Sequence, residues 1–333
     1  MSMDISKVDV VIGLQYGDEG KGKIANQMAA SGNYDCVVRF NGGGNAGHTI
    51  YKDGKKIVTH LVPCGVLHGI LSIVGPGCVV NIDKFFEELK YLEDNGFDTS
   101  LVKIAKNAHI ITKEHIEEDS KDTIIGTTKT GNGPSYRDKF SRVGIRAENC
   151  PELEPYLIGL AGHIYIEPKR FLAEGAQGYW LDIDFGYYPY VTSSNCGVGA
   201  LINNGFSPKA LNRIIGVSKC YSTYVGNKQY SQNLPEFEKI REVGEEYGAT
   251  TGRPRQINWL NMPEILRSAA MNGVDKIIIN KMDVLRSIGN MWNFNDVHTL
   301  VECKTEDEFK ENINFIFNQQ IPGIEVEFQG SPE

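Results

Sequence analysis

Val8-Asp-Val-Val-Ile-Gly-Leu14 runs through Gln15-Tyr16 into Gly17-Asp-Glu-Gly-Lys-Gly-Lys23. The first part is a short β-branched run, the signal of a buried strand. Residues 24–30 then carry apolar side chains at helical spacing. Strand, glycine loop and helix together hold polyphosphate: glycines let backbone N–H groups close round an anion, and the helix start adds the positive end of its dipole. Gly17, Gly22 and Lys23 keep the spacing of the standard P-loop, but Ile24 stands where that pattern needs a magnesium-binding Ser or Thr. Asp18 is the candidate replacement ligand. A solvated surface turn is the competing reading. Three glycines, two lysines and two acids within seven residues, behind a buried strand, argue against it.

Outward from this unit, Val37-Val38-Arg39-Phe40 reads as a second strand entering the loop Asn41-Gly-Gly-Gly-Asn-Ala-Gly-His48. Residues 57–62, 70–74, 214–217, 276–279 and 324–328 read as further strands, and 85–95 and 263–271 as helices. Such alternation predicts an α/β fold: a mostly parallel central sheet with helices on both faces and a P-loop-like phosphate site. With 333 residues, 41% of them hydrophobic, and no repeat or linker, the expectation is one domain over 1–333. A net charge of −8 speaks against nucleic acid or a membrane surface as partner. Seven scattered cysteines without a CxxC pair point to a reducing, cytoplasmic setting, with no disulfide frame or zinc site. The apolar run at the N-terminus is too short for a signal peptide or membrane helix.

The strand ending at Ile279 leads into Asn280-Lys-Met-Asp283. A carboxylate there accepts from guanine N1–H and the 2-amino group together, a donor pair that adenine lacks, while the lysine stem lies along the base. Four residues can arise by chance as an ordinary strand end, but a phosphate loop on the first strand makes the motif informative.

The ordered series then resembles the adenylosuccinate synthetase family. It comprises Gly17-Asp-Glu-Gly-Lys-Gly-Lys23, Asn45-Ala-Gly-His-Thr49, Gly126-Thr-Thr128, Glu174-Gly-Ala-Gln-Gly178, Leu181-Asp-Ile-Asp184, Tyr188-Pro-Tyr-Val-Thr-Ser-Ser-Asn195, Gly248-Ala-Thr-Thr-Gly-Arg253 and Lys281-Met-Asp283. The likeness spans almost the whole chain, in a compact form that resembles archaeal and phage relatives and lacks a long helical insert between Asn149 and Phe171. It implies a ligase that phosphorylates a purine 6-oxygen with GTP and then displaces that phosphate with the amine of L-aspartate.

The resemblance also implies site residues. Asp18 would be the base that takes the N1 proton, and His48 would bond the 6-oxygen and help phosphate leave. Lys21 and Gln177 complete the catalytic set. GTP would be held by Gly17, Glu19, Gly20, Lys21, Gly22, Lys23, Gly47, His48, Thr49, Lys281, Asp283 and Ser331. The acceptor nucleotide would contact Asp18, Asn45, Ala46, Gly47, His48, Thr128, Arg142, Gln177, Thr192 and Arg253. Arg142 would reach in from the partner of a homodimer. L-Aspartate would meet Ala249, Thr250, Thr251, Arg253 and Arg255, since the arginine fork suits carboxylates. Mg²⁺ would bind Asp18 and the Gly47 carbonyl.

Several positions depart from the family. Gln256 follows Arg253-Pro-Arg255, where long forms carry more arginines, and Asn261 stands where aspartate is usual. Tyr224-Val-Gly-Asn-Lys-Gln229 replaces an arginine and a Gly-Pro-Phe-Pro-like stretch near the acceptor ribose. Gln329-Gly-Ser-Pro-Glu333 only loosely matches Ser-Thr-Gly-Pro. These changes keep dGMP open beside IMP as acceptor, giving a 2-amino-N6-succinyl product, although the retained Asp18 favours IMP. A GTP-hydrolysing switch binding a protein partner is a third reading, but it leaves Arg253, Arg255 and Gln177 without a role. Asp283→Ala is expected to weaken GTP binding selectively, by about tenfold for a lost hydrogen-bond pair. Unchanged affinity in a titration with GTP would remove the guanine reading.

Overall fold

The computed structural model describes residues 6–331, apart from 53, 167–168, 231–233, 249–251 and 290. Ala249, Thr250 and Thr251, expected to meet aspartate, lie outside the described residues.

Among the described residues, nine strands form one sheet: β1 (Lys7–Gly13), β2 (Cys36–Arg39), β3 (Leu71–Val74), β4 (Val102–Ala105), β5 (Leu157–Ile158), β6 (Arg170–Glu174), β7 (Leu211–Lys219), β8 (Lys276–Asn280) and β9 (Glu325–Phe328). Their spatial order is β9-β8-β7-β1-β6-β2-β3-β4-β5, and every neighbouring pair is parallel. Side chains alternate across a strand, so Val8, Val10 and Ile12 of β1 enter one hydrophobic cluster and Val11 the other. Cys36 and Val38 of β2 likewise face the first cluster, and Val37 the second. Burial on both faces explains why these strands read as continuous apolar runs.

From β1 the chain crosses through helix Lys21–Ala29 to β2 and onward to β3 and β4. Later strands return to the other flank, with β7 directly beside β1 and then β8 and β9. The β1 strand therefore lies where the order reverses, the place at which open α/β sheets collect ligands at their carboxyl ends.

The sequence left a second sheet unread. Strands Tyr221–Tyr224, Gln256–Asn261, Trp292–Asp296 and Thr299–Cys303 pair in that order, two of the three contacts being antiparallel. The run expected at 57–62 is strand Lys55–Thr59, half of a hairpin with His48–Lys52 and apart from the main sheet. His48 thus opens a strand instead of lying free in a loop. Helix Ile82–Asp94 is capped by the Asn81 side chain accepting from Lys84 N at 3.0 Å. Among the described residues no helix is long and apolar enough to cross a membrane.

Candidate active site

The carboxyl ends of β1, β2, β6, β7 and β8 converge, and each ends on a charged or amide side chain or on the phosphate loop. That loop closes round its own anion. Glu19 is fully buried; its Oε1 accepts from Gln15 N at 3.1 Å and Gly17 N at 2.9 Å, and its Oε2 pairs with Lys21 Nζ at 2.6 Å. A Cβ at Gly13 or Gly178 would overlap this carboxylate, so both positions need glycine. Glu19 was expected among the GTP contacts, but its carboxylate faces inward and braces the loop.

Asn280 Nδ2 donates to the Glu19 carbonyl at 2.9 Å, tying the Asn280–Asp283 motif to the loop. On the opposite side Gly17 lies against the Gln177 backbone, and Gly22 lies against His48. Asp18, Gln177 and Lys281 all have positive φ (59°, 56° and 70°), and so does Arg142. Left-handed backbone at residues other than glycine carries strain that surrounding structure must hold, and it gathers at functional sites.

Beyond the loop, Lys23, Asn26, Thr49, Asp283, Arg286, Gln329 and Ser331 line a cavity of about 780 Å³. Four residues expected to bind GTP thus share one wall system: Lys23, Thr49, Asp283 and Ser331. Ser331 N donates to Asp283 Oδ1 at 2.6 Å, and Lys23 Nζ to the Gly330 carbonyl at 2.8 Å.

His48 is anchored by a residue whose role the sequence did not reveal. Its Nδ1 meets Glu174 Oε1 at the end of β6, where Arg39 Nη1 also donates at 2.9 Å; Cys64 N donates to Oε2 at 3.0 Å. Burial and the neighbouring Arg39 charge lower the His48 pKa, which favours the neutral ring. Burial alone would raise Glu174, but His48, Arg39 and the Cys64 N–H outweigh it and hold the carboxyl below its ordinary range. An ionised Glu174 fixes the proton on Nδ1 and leaves Nε2 for a substrate. In the sequence Glu174 is marked only by its place opening the Glu174–Gly178 block.

A second buried network reaches Asp18. Lys219 Nζ lies 3.1 Å from both Glu246 carboxylate oxygens, Tyr221 OH donates to Glu246 Oε1 at 2.6 Å, and Arg255 Nη1 pairs with Oε2. Arg255 Nη2 in turn lies 3.0 Å from Asp18 Oδ2. Arg255, expected to clamp aspartate, is therefore placed between Asp18 and Glu246.

The acceptor-side residues fall into two groups. Gln177 Nε2 donates to Asn45 Oδ1 at 3.2 Å, beside the loop amide of Gly43, which donates to the same oxygen. Arg253 Nη2 donates to the Gly126 carbonyl at 2.9 Å, next to Thr128, whose hydroxyl meets that of Thr130 at 2.9 Å. Thr192 is fixed by its backbone N–H to the Leu181 carbonyl at 2.8 Å. Arg142 is exposed and joins neither group within this chain. Three residues of the site carry a buried atom without a partner among the described residues: Gln177 Oε1, Asn280 Oδ1 and Arg255 Nε. Such orphans call for a ligand or water.

Two departures have a structural account. Asn261 caps helix Met262–Asn272 by accepting from Glu264 N at 3.2 Å, a task asparagine and aspartate perform equally. Gln256 donates to the Gly226 and Lys228 carbonyls at 3.1 and 2.7 Å and accepts from Tyr230 N at 2.8 Å. It grips the altered 224–230 segment, in which Tyr224 is buried against Tyr16 and Tyr230.

Burial would raise Glu246, but the Lys219 and Arg255 charges and the Tyr221 hydroxyl pull its pKa down to about 2. A depressed carboxylate contributes stability above its unfolded pKa of about 4.3 and loses it as pH falls toward 2. Urea midpoints measured from pH 6 to pH 2.5 should therefore fall more steeply for the wild type than for Glu246→Gln. Equal slopes would dismiss this network as a source of acid sensitivity.

A family model described as adenylosuccinate synthetase matches residues 10–158 and 153–292. The adenylosuccinate synthetase of Shouchella clausii is 35% identical, over 96% of this chain and 88% of that protein. The Chlorobium chlorochromatii enzyme of the same name is 39% identical, over 84% and 77%. Fully ligated adenylosuccinate synthetase from Plasmodium falciparum has a TM-score of 0.79 at 33% identity, covering 92% of this chain and 86% of that one. Cyanophage S-2L succinoaminodeoxyadenylate synthetase, bound to dGMP and dATP, has a TM-score of 0.75 at 22% identity, covering 98% and 93%, a likeness of fold.

Proposed function

The chain belongs to the adenylosuccinate synthetase family, and on that premise we propose that it uses GTP to join L-aspartate to C6 of IMP. One observation carries the reading. The loop Gly17–Gly22 is tied to the guanine-selecting motif through Asn280 and packs against Gln177 and His48 on its other side. Donor and acceptor groups thus meet at Asp18.

In the first step the 6-oxygen attacks the γ-phosphorus of GTP, GDP leaves, and Asp18 takes the N1 proton. Arg255 occupies one Asp18 oxygen and leaves the other for this work. In the second step the aspartate amine attacks C6, and phosphate departs with the bonding electrons. The amine sheds a proton as its nitrogen bonds C6; His48, its Nδ1–H held by the Glu174 carboxylate, takes that proton at Nε2 and passes it to the leaving oxygen. Lys21 offsets charge on the transferred group, and Thr128, Gln177, Thr192 and Arg253 hold the acceptor.

Magnesium would be held here by the Asp18 carboxylate and the Gly47 carbonyl, since it needs few protein ligands when phosphates supply the rest. When bound, it would neutralise charge on the GTP phosphates.

The assay is GTP, magnesium and L-aspartate with IMP, dIMP, GMP or dGMP in parallel. Turnover with IMP is expected, abolished in Asp18→Ala and slowed about 100-fold or more in His48→Asn and Glu174→Gln. Turnover with dGMP but not IMP would replace the acceptor, and an active Asp18→Ala would remove the base.

The working unit we propose is a homodimer of single-domain chains in the cytoplasm. Arg142 sits among exposed apolar side chains, Phe140 at 76% and Val143 at 70% exposure with Ile145 close by, a pattern that marks association surfaces. Seven free thiols suit a reducing compartment. Val143→Glu should yield a monomer in sedimentation that binds GTP yet lacks turnover. A fully active monomer would refute the shared site.

A further inference from the structure

The altered segment 224–230, gripped through its backbone by Gln256, is also held through a charge. Lys228 is half-buried, and its Nζ sits 3.6 Å from the centre of the Tyr187 ring, 5.7 Å from that of Tyr16 and 5.9 Å from that of Tyr230. A cation within about 6 Å of an aromatic face is attracted by the ring quadrupole. The rings are themselves fixed. Tyr16 and Tyr187 stack with centroids 6.1 Å apart, Tyr187 stacks on Trp180 at 5.3 Å, and Tyr16 meets Tyr230 edge-on at 4.9 Å. Behind them Glu264 Oε1 accepts from both Tyr16 OH and Tyr187 OH, each at 2.9 Å. A phenol that donates to a carboxylate gains electron density in its ring, which strengthens its hold on a cation.

What this charge pins borders the acceptor groups on two sides. Tyr16 immediately precedes Gly17-Asp18, and Trp180 N, just after Gln177-Gly178, donates to the Gln15 carbonyl at 3.0 Å. On the far side Asn227 N donates to the Ile125 carbonyl at 3.2 Å, and Asn227 Nδ2 to the Thr123 and Ile124 carbonyls at 3.1 Å. A Cβ on Gly126 would stand 2.6 Å from Asn227 Oδ1, so the turn leading to Thr128 is pressed against the segment. Arg253 joins the same turn through the Gly126 carbonyl at 2.9 Å. The segment therefore bridges the Asp18 wall and the Thr128–Arg253 wall. We propose that Lys228 is a positioning residue for the acceptor nucleotide: its ammonium, seated on the Tyr187 ring beside Tyr16 and Tyr230, holds the segment so that the two walls keep their spacing. This rests on the acceptor lying between Asp18 and Thr128.

Lys228→Met keeps the apolar stem and loses the charge, whereas Lys228→Arg keeps a cation that binds aromatic faces. Hydrogen exchange of the full chain without ligands, read on peptides covering 224–230, should quicken about fivefold in Lys228→Met and return to the wild-type rate in Lys228→Arg. In the assay with saturating GTP and L-aspartate, KM for IMP, or for whichever of the four acceptors the wild type turns over, should rise about fivefold in Lys228→Met and recover in Lys228→Arg. Both kcat and KM for GTP should stay within about twofold, which a general loosening of the fold would not allow. Unchanged exchange or unchanged acceptor KM in Lys228→Met, no recovery in Lys228→Arg, or an equal rise of KM for GTP would overturn the role of Lys228. A wild type that turns over none of the acceptors would instead defeat the reaction assigned to the site, and the exchange rates alone would then decide whether Lys228 pins the segment.

Discussion

A carboxylate without access to solvent sits inside the phosphate loop, and the site is assembled round it. Glu19 takes up the amides of Gln15 and Gly17 and one N–H of the Lys21 ammonium. The loop is therefore shaped by an internal anion and not only by the phosphate it would bind. The constraint propagates. Gly13 and Gly178 stay bare to admit the carboxylate, the Glu19 carbonyl receives Asn280, and Gly17 is pressed onto Gln177. Donor and acceptor machinery are held in register by contacts that neither nucleotide makes.

The same edge of the sheet buries two further charge networks, Arg39–Glu174–His48 and Lys219–Glu246–Arg255–Asp18. Buried ion pairs recover little net stability after desolvation, whereas removing one partner costs about 3–5 kcal/mol. What they give is fixed geometry at the atoms proposed to act: one ring nitrogen of His48 and one oxygen of Asp18. Both networks begin on residues that end parallel strands, so their spacing is inherited from the sheet.

Local patterns were the legible part of the sequence. The β1–loop–helix unit and the strand before Asn280 announce themselves within a few residues, and the central parallel sheet follows from them. Glu174 could not be read in the same way. It meets Arg39 across 135 positions of chain, and a strand-end glutamate looks the same whether it anchors a histidine or faces water. The second sheet escaped although Gln256–Trp259 and Trp292–Asn295 alternate half-buried and buried residues, because each alternating run is only four residues long. Arg255 was legible as a residue type that suits carboxylates, but its pairing with Glu246 and Asp18 joins distant parts of the chain and no local pattern announces it.

The Gln256 clamp limits how this part of the chain can be exchanged. Its three hydrogen bonds fit the backbone of the altered segment, and Asn227 within that segment is bonded to the carbonyls of Thr123 and Ile124 beside the Gly126–Thr128 turn. Exchanging any one of these pieces alone would break bonds to the others. The segment, Gln256 and the neighbouring turn thus form one interlocked unit, and a replacement at Tyr224 has to be accommodated by Gln256 and that turn together.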